Sequence, residues 1–246
     1  MLMELSQKNI LITGGNSGIG LSLVKQLSAL GNSLIVVSRS QKNWSDFSRY
    51  RPAVVTMQCD ISKEHDVLSL MEKLKSANIA LDILINSAAV QYTCRLTDED
   101  FSFTDIGTEV NTNFTSIVRL CSLLLDGLLS RPHSAIVNLS SGLAFYPKTS
   151  SAVYCATKAA LHSFSQSLRY QLADTSVQVT EVILPLVSTP MTEGRVGGKM
   201  SPDAAAKAII DGMKKECNEI YVGKAGFLPV MMRLSPGFVK WMLKKY

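Results

Sequence analysis

The chain has little that would tie it to metals, disulfides, membranes or nucleic acid. Its five cysteines, Cys59, Cys94, Cys121, Cys155 and Cys217, are scattered, with neither metal-ligand spacing nor a disulfide framework. That argues against a disulfide-stapled fold and predicts a reducing, cytoplasmic setting with no metal site. No continuous apolar run reaches the ~18 residues of a membrane span. Met1 to Lys8 is polar and lacks the apolar stretch of a signal peptide. The 25 basic and 20 acidic residues leave a net charge of +5. They form no block dense enough for a nucleic-acid patch. There is no internal repeat and no low-complexity tract. Only 18% of the residues are charged against 46% hydrophobic, so the 246 residues can bury a sizeable core and disorder is not expected.

What is present is an alternation of strands and helices. Residues 9–13 read as a short buried strand, 21–30 as a helix closed by Gly31-Asn32, and 33–38 as a second strand. Further strands are expected at 53–58, 81–85, 135–139, 177–184 and 219–222. Helices are expected at 63–77, 108–129 and 151–174, and from Pro202 onward behind Ser201. No composition break precedes Gly223. The expectation is an α/β fold, one Rossmann-type doubly wound parallel sheet of about seven strands over residues 1–222. Residues 186–200 read as a loop, and a mobile segment after a strand end suits a substrate lid. The tail, 223–246, mixes aromatic, aliphatic and basic residues as an interfacial helix does. It could pack on the domain, on another subunit or on a membrane surface. Packing is favoured, because one short anchor holds a membrane poorly.

The chemistry sits at strand ends. Between the first strand and its helix lies Gly14-Gly15-Asn16-Ser17-Gly18-Ile19-Gly20. Such a turn lets backbone approach a pyrophosphate, and the helix N-terminus adds free N–H groups and a positive dipole end. At the end of the second strand, where a ribose would lie, stands Ser38-Arg39-Ser40, with no carboxylate before Asp46. Arg39 could pair with a 2′-phosphate or be a solvated loop residue; the phosphate is favoured, and with it NADP(H) over NAD(H). Asp60 could cap the following helix or accept from an adenine amino group. The small residues after Asn86 suit close packing beside a cofactor. Tyr154 and Lys158 share one helix face. A cation there would lower the phenol pKa and make the pair a tunable proton donor. Ser141 ends a strand and could share a carbonyl oxygen with Tyr154. Asn113, mid-helix, would ordinarily face solvent but could hold a water near the lysine.

Taken in order, these motifs resemble the short-chain dehydrogenase/reductase family over about residues 5–222. Thr13-Gly14-x-x-x-Gly18-x-Gly20 matches its cofactor motif and Asp60 its adenine-ring aspartate. Asn86-Ser87-Ala88-Ala89 is similar to its Asn-Asn-Ala-Gly run. Asn113, Ser141, Tyr154 and Lys158 match its catalytic tetrad. Ser141 is preferred to Ser140 because the family serine precedes the tyrosine by thirteen residues. Pro185-Leu186-Val187-Ser188-Thr189 resembles its Pro-Gly segment, with Leu186 in place of the glycine.

The resemblance implies cofactor contacts from Gly14, Asn16, Ser17, Gly18, Ile19, Gly20, Arg39, Asp60, Ile61, Asn86, Ala88, Tyr154, Lys158, Pro185, Val187 and Thr189. It implies that Tyr154 is the general acid/base and that Ser141 orients a carbonyl. Lys158 would tune the tyrosine and hold the nicotinamide ribose, and Asn113 would hold a relay water. A small carbonyl or alcohol substrate follows, with no nucleic-acid partner, and so does a homo-oligomer, dimer or tetramer. Val90, Gln91, Tyr92, Leu143, Phe145, Tyr146 and Met191 are expected at the pocket mouth, which suggests a hydrophobic substrate. The alternative is a redox sensor or scaffold that holds the cofactor with little turnover.

Overall fold

Runs such as Asn-Ile-Leu-Ile-Thr are apolar on both sides of the pleat, so the strands they form must be covered on both faces. The structure, a computed structural model describing residues 3–50 and 54–244, meets that demand with seven parallel strands. They are β1 (Asn9–Thr13), β2 (Ser33–Ser38), β3 (Val54–Gln58), β4 (Ile83–Asn86), β5 (Ser134–Ser141), β6 (Val177–Leu184) and β7 (Glu219–Tyr221), in the order β3-β2-β1-β4-β5-β6-β7. The helices are α1 (Gly18–Ala29), α2 (Glu64–Ser76), α3 (Phe103–Val110), α4 (Ser116–Leu129), α5 (Ala152–Gln171), α6 (Pro202–Lys214), α7 (Leu228–Leu234) and α8 (Pro236–Lys244).

Side chains alternate across the sheet. Ile10, Ile12 and Val36 pack with Leu23 and Leu27 of α1 and Ile209 and Met213 of α6. Leu11, Ile35 and Val37 point the other way, toward Leu70 of α2, Leu120 of α4 and Leu161 of α5. This is the expected Rossmann-type doubly wound architecture. The strand order reverses direction between β1 and β4, so a crevice opens at the carboxyl ends of those strands.

Several boundaries move. β5 ends at Ser141, as expected, and α1 begins at Gly18 rather than at 21. Residue 53, expected to begin β3, lies outside the described residues. The helix expected from 108 begins at Phe103 and is interrupted by a π-helical turn, Asn111–Thr115, which joins α3 to α4. The combined run, Phe103–Leu129, is long and apolar enough by length and composition to cross a membrane, although Asp105, Glu109, Arg119 and Asp126 interrupt its apolar residues. Its Ile117, Leu120 and Leu128 are spent on the sheet, so it reads as a core helix.

The loop 186–200 is also more structured than expected. Val187 pairs with Met200 in a short bridge. Thr192 Oγ1 donates to the Val187 carbonyl at 2.6 Å and Lys199 Nζ to the Thr192 carbonyl at 2.6 Å. Beyond β7, Leu228, Val239 and Leu243 pack with Ile183, Phe145 and Tyr146.

Candidate active site

The inner end of the crevice is built by β5 and α5. Ser141 closes the strand, and its Oγ accepts the Leu143 N–H at 3.2 Å across a 3-10 turn, Gly142–Ala144. Ser151 caps α5 with φ 141° and ψ 51°, a conformation L residues rarely adopt. Its hydroxyl donates to the Tyr92 carbonyl at 2.9 Å, which holds the strained entry in place. One turn on, Tyr154 stands near Ser141, whose side chain slightly favours the phenolate. Lys158 Nζ stands 5.7 Å from the centre of the Tyr154 ring and donates to the Leu139 carbonyl at 2.8 Å.

Burial dominates the electrostatics here. It pushes the Lys158 ammonium down to about 8, with the Glu181 carboxylate pulling the other way. At pH 7 the lysine is still roughly nine-tenths charged. The Tyr154 phenol was expected to be lowered by its lysine. Instead burial, followed by Cys155, holds it above its ordinary value, against the opposing pull of Arg195 and Ser141. The phenol is therefore protonated at neutral pH, the state a proton donor needs.

Asn113 does not face solvent. It is fully buried in the π-helical turn, a distortion common at functional sites. Its Nδ2 donates to the Val90 carbonyl at 2.8 Å and its Oδ1 accepts the Val90 N–H at 2.9 Å. Nδ2 also reaches Thr157 Oγ1 at 3.3 Å. The side-chain amide thus engages the backbone of Val90 on both its donor and its acceptor side. It clamps one wall of the crevice to α5.

At the outer end, Gly14 has φ 69°, and a Cβ there would lie 2.8 Å from Ala88 Cα. Gly18 has φ 51°, and its Cβ would meet Thr189 Cγ2 at 3.0 Å. Only glycine fits both constraints. Among the described residues no side chain caps α1, and its first turn carries no acid, so its N–H groups and dipole remain open toward the cavity. Asn16 Nδ2 donates to the Ser40 carbonyl at 3.1 Å and to Ser40 Oγ at 3.0 Å, tying the glycine turn to the loop that carries Arg39.

A single cavity of about 690 Å³ joins the two ends. Gly14, Asn16, Ser17, Ile19, Gly20, Arg39, Ile61, Ala88, Tyr154, Lys158 and Thr189 line it, as do Val90 and Met191. Gly18, Asp60, Asn86, Pro185, Val187, Asn113 and Ser141 are not among its lining residues. Asp60 closes its own turn, with Oδ1 accepting the Ser62 N–H at 3.1 Å and hydroxyl at 2.7 Å. Asn86 is buried, its Nδ2 donating to Asn138 Oδ1 at 2.9 Å. Five of the expected mouth residues, Gln91, Tyr92, Leu143, Phe145 and Tyr146, do not line it: Leu143 packs with Tyr154 and Cys155, Phe145 lies edge-on to His162 at 4.7 Å, and Tyr146 packs under the tail.

Sequence reasoning missed Lys42 and Ser140, which also line the cavity. It also missed what holds the wall at 90–94. Besides Asn113, Glu109 Oε1 accepts the Tyr92 N–H at 2.8 Å. Arg195 Nη2 donates to Gln91 Oε1 at 2.7 Å and Thr93 Oγ1 at 3.1 Å, pinning loop 186–200 across the crevice. Nor did it find a group behind α5: His162 Nδ1 lies 2.7 Å from Glu181 Oε2, and Glu219 brings a third ligand atom within 4.8 Å of both.

A family model described as short chain dehydrogenase matches residues 8–199. The chain belongs to the short-chain dehydrogenase family. Among its relatives, the uncharacterized oxidoreductase DltE of Bacillus subtilis is 37% identical over 224 residues, covering 89% of each chain. The fatty acyl-CoA reductase of Acinetobacter baylyi is 30% identical over 242 residues, 93% of this chain and 80% of that one. A short chain dehydrogenase from Burkholderia cenocepacia, solved in complex with NADP, shares the fold with a TM-score of 0.86 at 22% identity, covering 98% of this chain and 99% of that one. As a short-chain dehydrogenase the chain is an oxidoreductase, and its cavity has the features a dinucleotide requires: a glycine cradle that a Cβ would fill, an open helix N-terminus and the cations Arg39 and Lys42 on its wall.

Proposed function

We propose that this short-chain dehydrogenase interconverts a carbonyl and an alcohol with NADP(H), using Tyr154 as general acid/base. One observation carries the reading: Tyr154 and Lys158 line the same 690 Å³ cavity as the Gly14–Gly20 turn and Arg39. The turn and the N-terminus of α1 would hold the pyrophosphate. Arg39 and Lys42, both on the cavity wall and neither in an ion pair among the described residues, would hold the 2′-phosphate. Among the described residues no carboxylate lines the cavity to repel it. When bound, the reduced nicotinamide supplies a hydride.

The protein supplies the proton. Ser141 and Tyr154 together position the carbonyl oxygen, and the Tyr154 hydroxyl protonates it. Lys158, held by the Leu139 carbonyl, stabilises the phenolate that this leaves. Oxidation of an alcohol runs through the same groups in reverse. Asn113 acts on this site through Val90, as a positioning residue. Val90 and Met191 on the wall favour a hydrophobic substrate, in keeping with the name of the Acinetobacter relative. All five cysteines are unpaired, in keeping with a reducing, cytoplasmic setting. Exposed Leu123 and Leu129 on α4 and Tyr170 on α5 supply apolar surface for a homo-oligomer.

The test is NADPH consumption against a panel of aliphatic and aromatic aldehydes and ketones, with Tyr154→Phe beside the wild type. Turnover that vanishes in the variant is expected. Tight NADPH binding by both proteins with no turnover by either would move the chain to the sensor or scaffold reading.

A further inference from the structure

The charge of this chain is unevenly placed. Residues 223–246 hold Lys224, Arg233, Lys240, Lys244 and Lys245 and no acid at all. Since the whole chain has 25 basic and 20 acidic residues, residues 1–222 are electrically balanced. The entire net charge of +5 lies in the tail. Among the described residues, Lys224, Arg233, Lys240 and Lys244 make no ion pair, and all four are exposed.

The tail is also apolar on two sides. Its inner side, Leu228, Val239 and Leu243, is buried against Ile183 and Ala225. The remaining large apolar groups point outward. Phe227, just before α7, and Val230 and Leu234 on it recur at helical spacing, and Phe238 and Trp241 do so on α8. Each of the five is between 48% and 77% exposed. The Phe238 and Trp241 rings stack at 6.0 Å. Scattered exposed apolar residues are ordinary; five within fifteen residues, interleaved with unpaired cations, are not.

We infer that the outer face of α7 and α8 docks on an anionic lipid surface. Aromatic and aliphatic side chains enter the interface while lysine and arginine meet the headgroups. Charge also argues against the face as a symmetric dimer contact. A two-fold interface sets the same patch against itself and would press the exposed Arg233 and Lys240 against their own copies. The inner side of the tail packs on Phe145 and Tyr146, and Thr149 is bonded to the Lys244 carbonyl through its N–H at 3.2 Å and its hydroxyl at 3.0 Å. Docking would therefore hold the Ser141 end of the crevice near the lipid. The inference stands whether or not the carbonyl chemistry above is right.

The experiment is flotation of the full chain with phosphatidylglycerol vesicles and with phosphatidylcholine vesicles of the same size. At least about tenfold more protein should float with the anionic lipid, and about 0.5 M salt should release it. Trp241 emission should shift to the blue on binding. Arg233→Glu with Lys240→Glu should return flotation to background, and the Gln pair should fall between. These positions are exposed, so unchanged melting midpoints verify that the variants fold. Wild-type protein that stays in the soluble fraction overturns the inference, as does flotation that the charge reversal leaves intact. Sedimentation showing an oligomer that the reversal dissociates, with no vesicle binding, would overturn it too. That result would assign the face to a second copy, meeting an acidic run such as Asp98–Asp100.

Discussion

The two ends of the crevice solve opposite problems. At the outer end the glycine turn uses backbone shape, and its cations, Arg39 and Lys42, stand on the cavity wall with no ion-pair partner among the described residues. At the inner end Tyr154 and Lys158 are almost wholly buried, Lys158 is already hydrogen-bonded to the Leu139 carbonyl, and burial displaces both pKa values. An outer site of this kind can be weakened in steps, because each contact adds affinity. The inner site acts as a unit, because the partners of each group fix its protonation and its position.

The largest effect should come from breaking the inner end. Tyr154→Phe removes the only proton donor proposed for the carbonyl and should lower kcat about 10³-fold, with NADPH affinity nearly unchanged. Stopped-flow turnover beside a binding titration measures both. Lys158→Met comes next, with a loss of about 10²-fold in kcat and a gain in stability. The sign follows from its pKa. Lys158 titrates near 8 in the folded protein, below its ordinary 10.5. Below about pH 8 both states hold the proton, and the buried charge costs stability in full. Between the two values the folded form loses its proton first, and the cost fades as pH rises. The variant should therefore melt about 2–5 °C higher at pH 7. That gain should shrink as the pH is raised through 8. Paired thermal melts at pH 7 and pH 9.5 check it; a constant difference would refute the charge-burial argument.

The outer end should yield smaller and more selective changes. Arg39→Ala should weaken NADPH binding about 10- to 100-fold, one charge-assisted phosphate contact, and leave NADH binding unaltered. An equal loss for both cofactors would make Arg39 a general loop residue and remove the case for NADP. The smallest effect is expected from Asn16→Ala, which frees the Arg39 loop from the glycine turn. A few-fold rise in the NADPH dissociation constant, about 0.5–1.5 kcal/mol for the lost bonds, should be read by titration.

Local features of the chain were legible before any fold was known. A strand, a glycine turn and a helix lie within some twenty residues, and the 3.6-residue repeat places Tyr154 and Lys158 on one face without reference to anything distant. The strand alternation, the dinucleotide turn, the Arg39 position and the tyrosine–lysine pair all depend on such short-range rules. The rest depends on contacts between segments far apart in the chain, which leave no local pattern. Nothing near Arg195 points to Gln91, and nothing near Asn113 points to Val90 or to a π-helical turn. The direction of the Tyr154 pKa reversed for the same reason. The lysine one turn away is visible in the sequence, but the desolvation that outweighs it exists only once β5, α5 and the loop after β6 have closed around the ring.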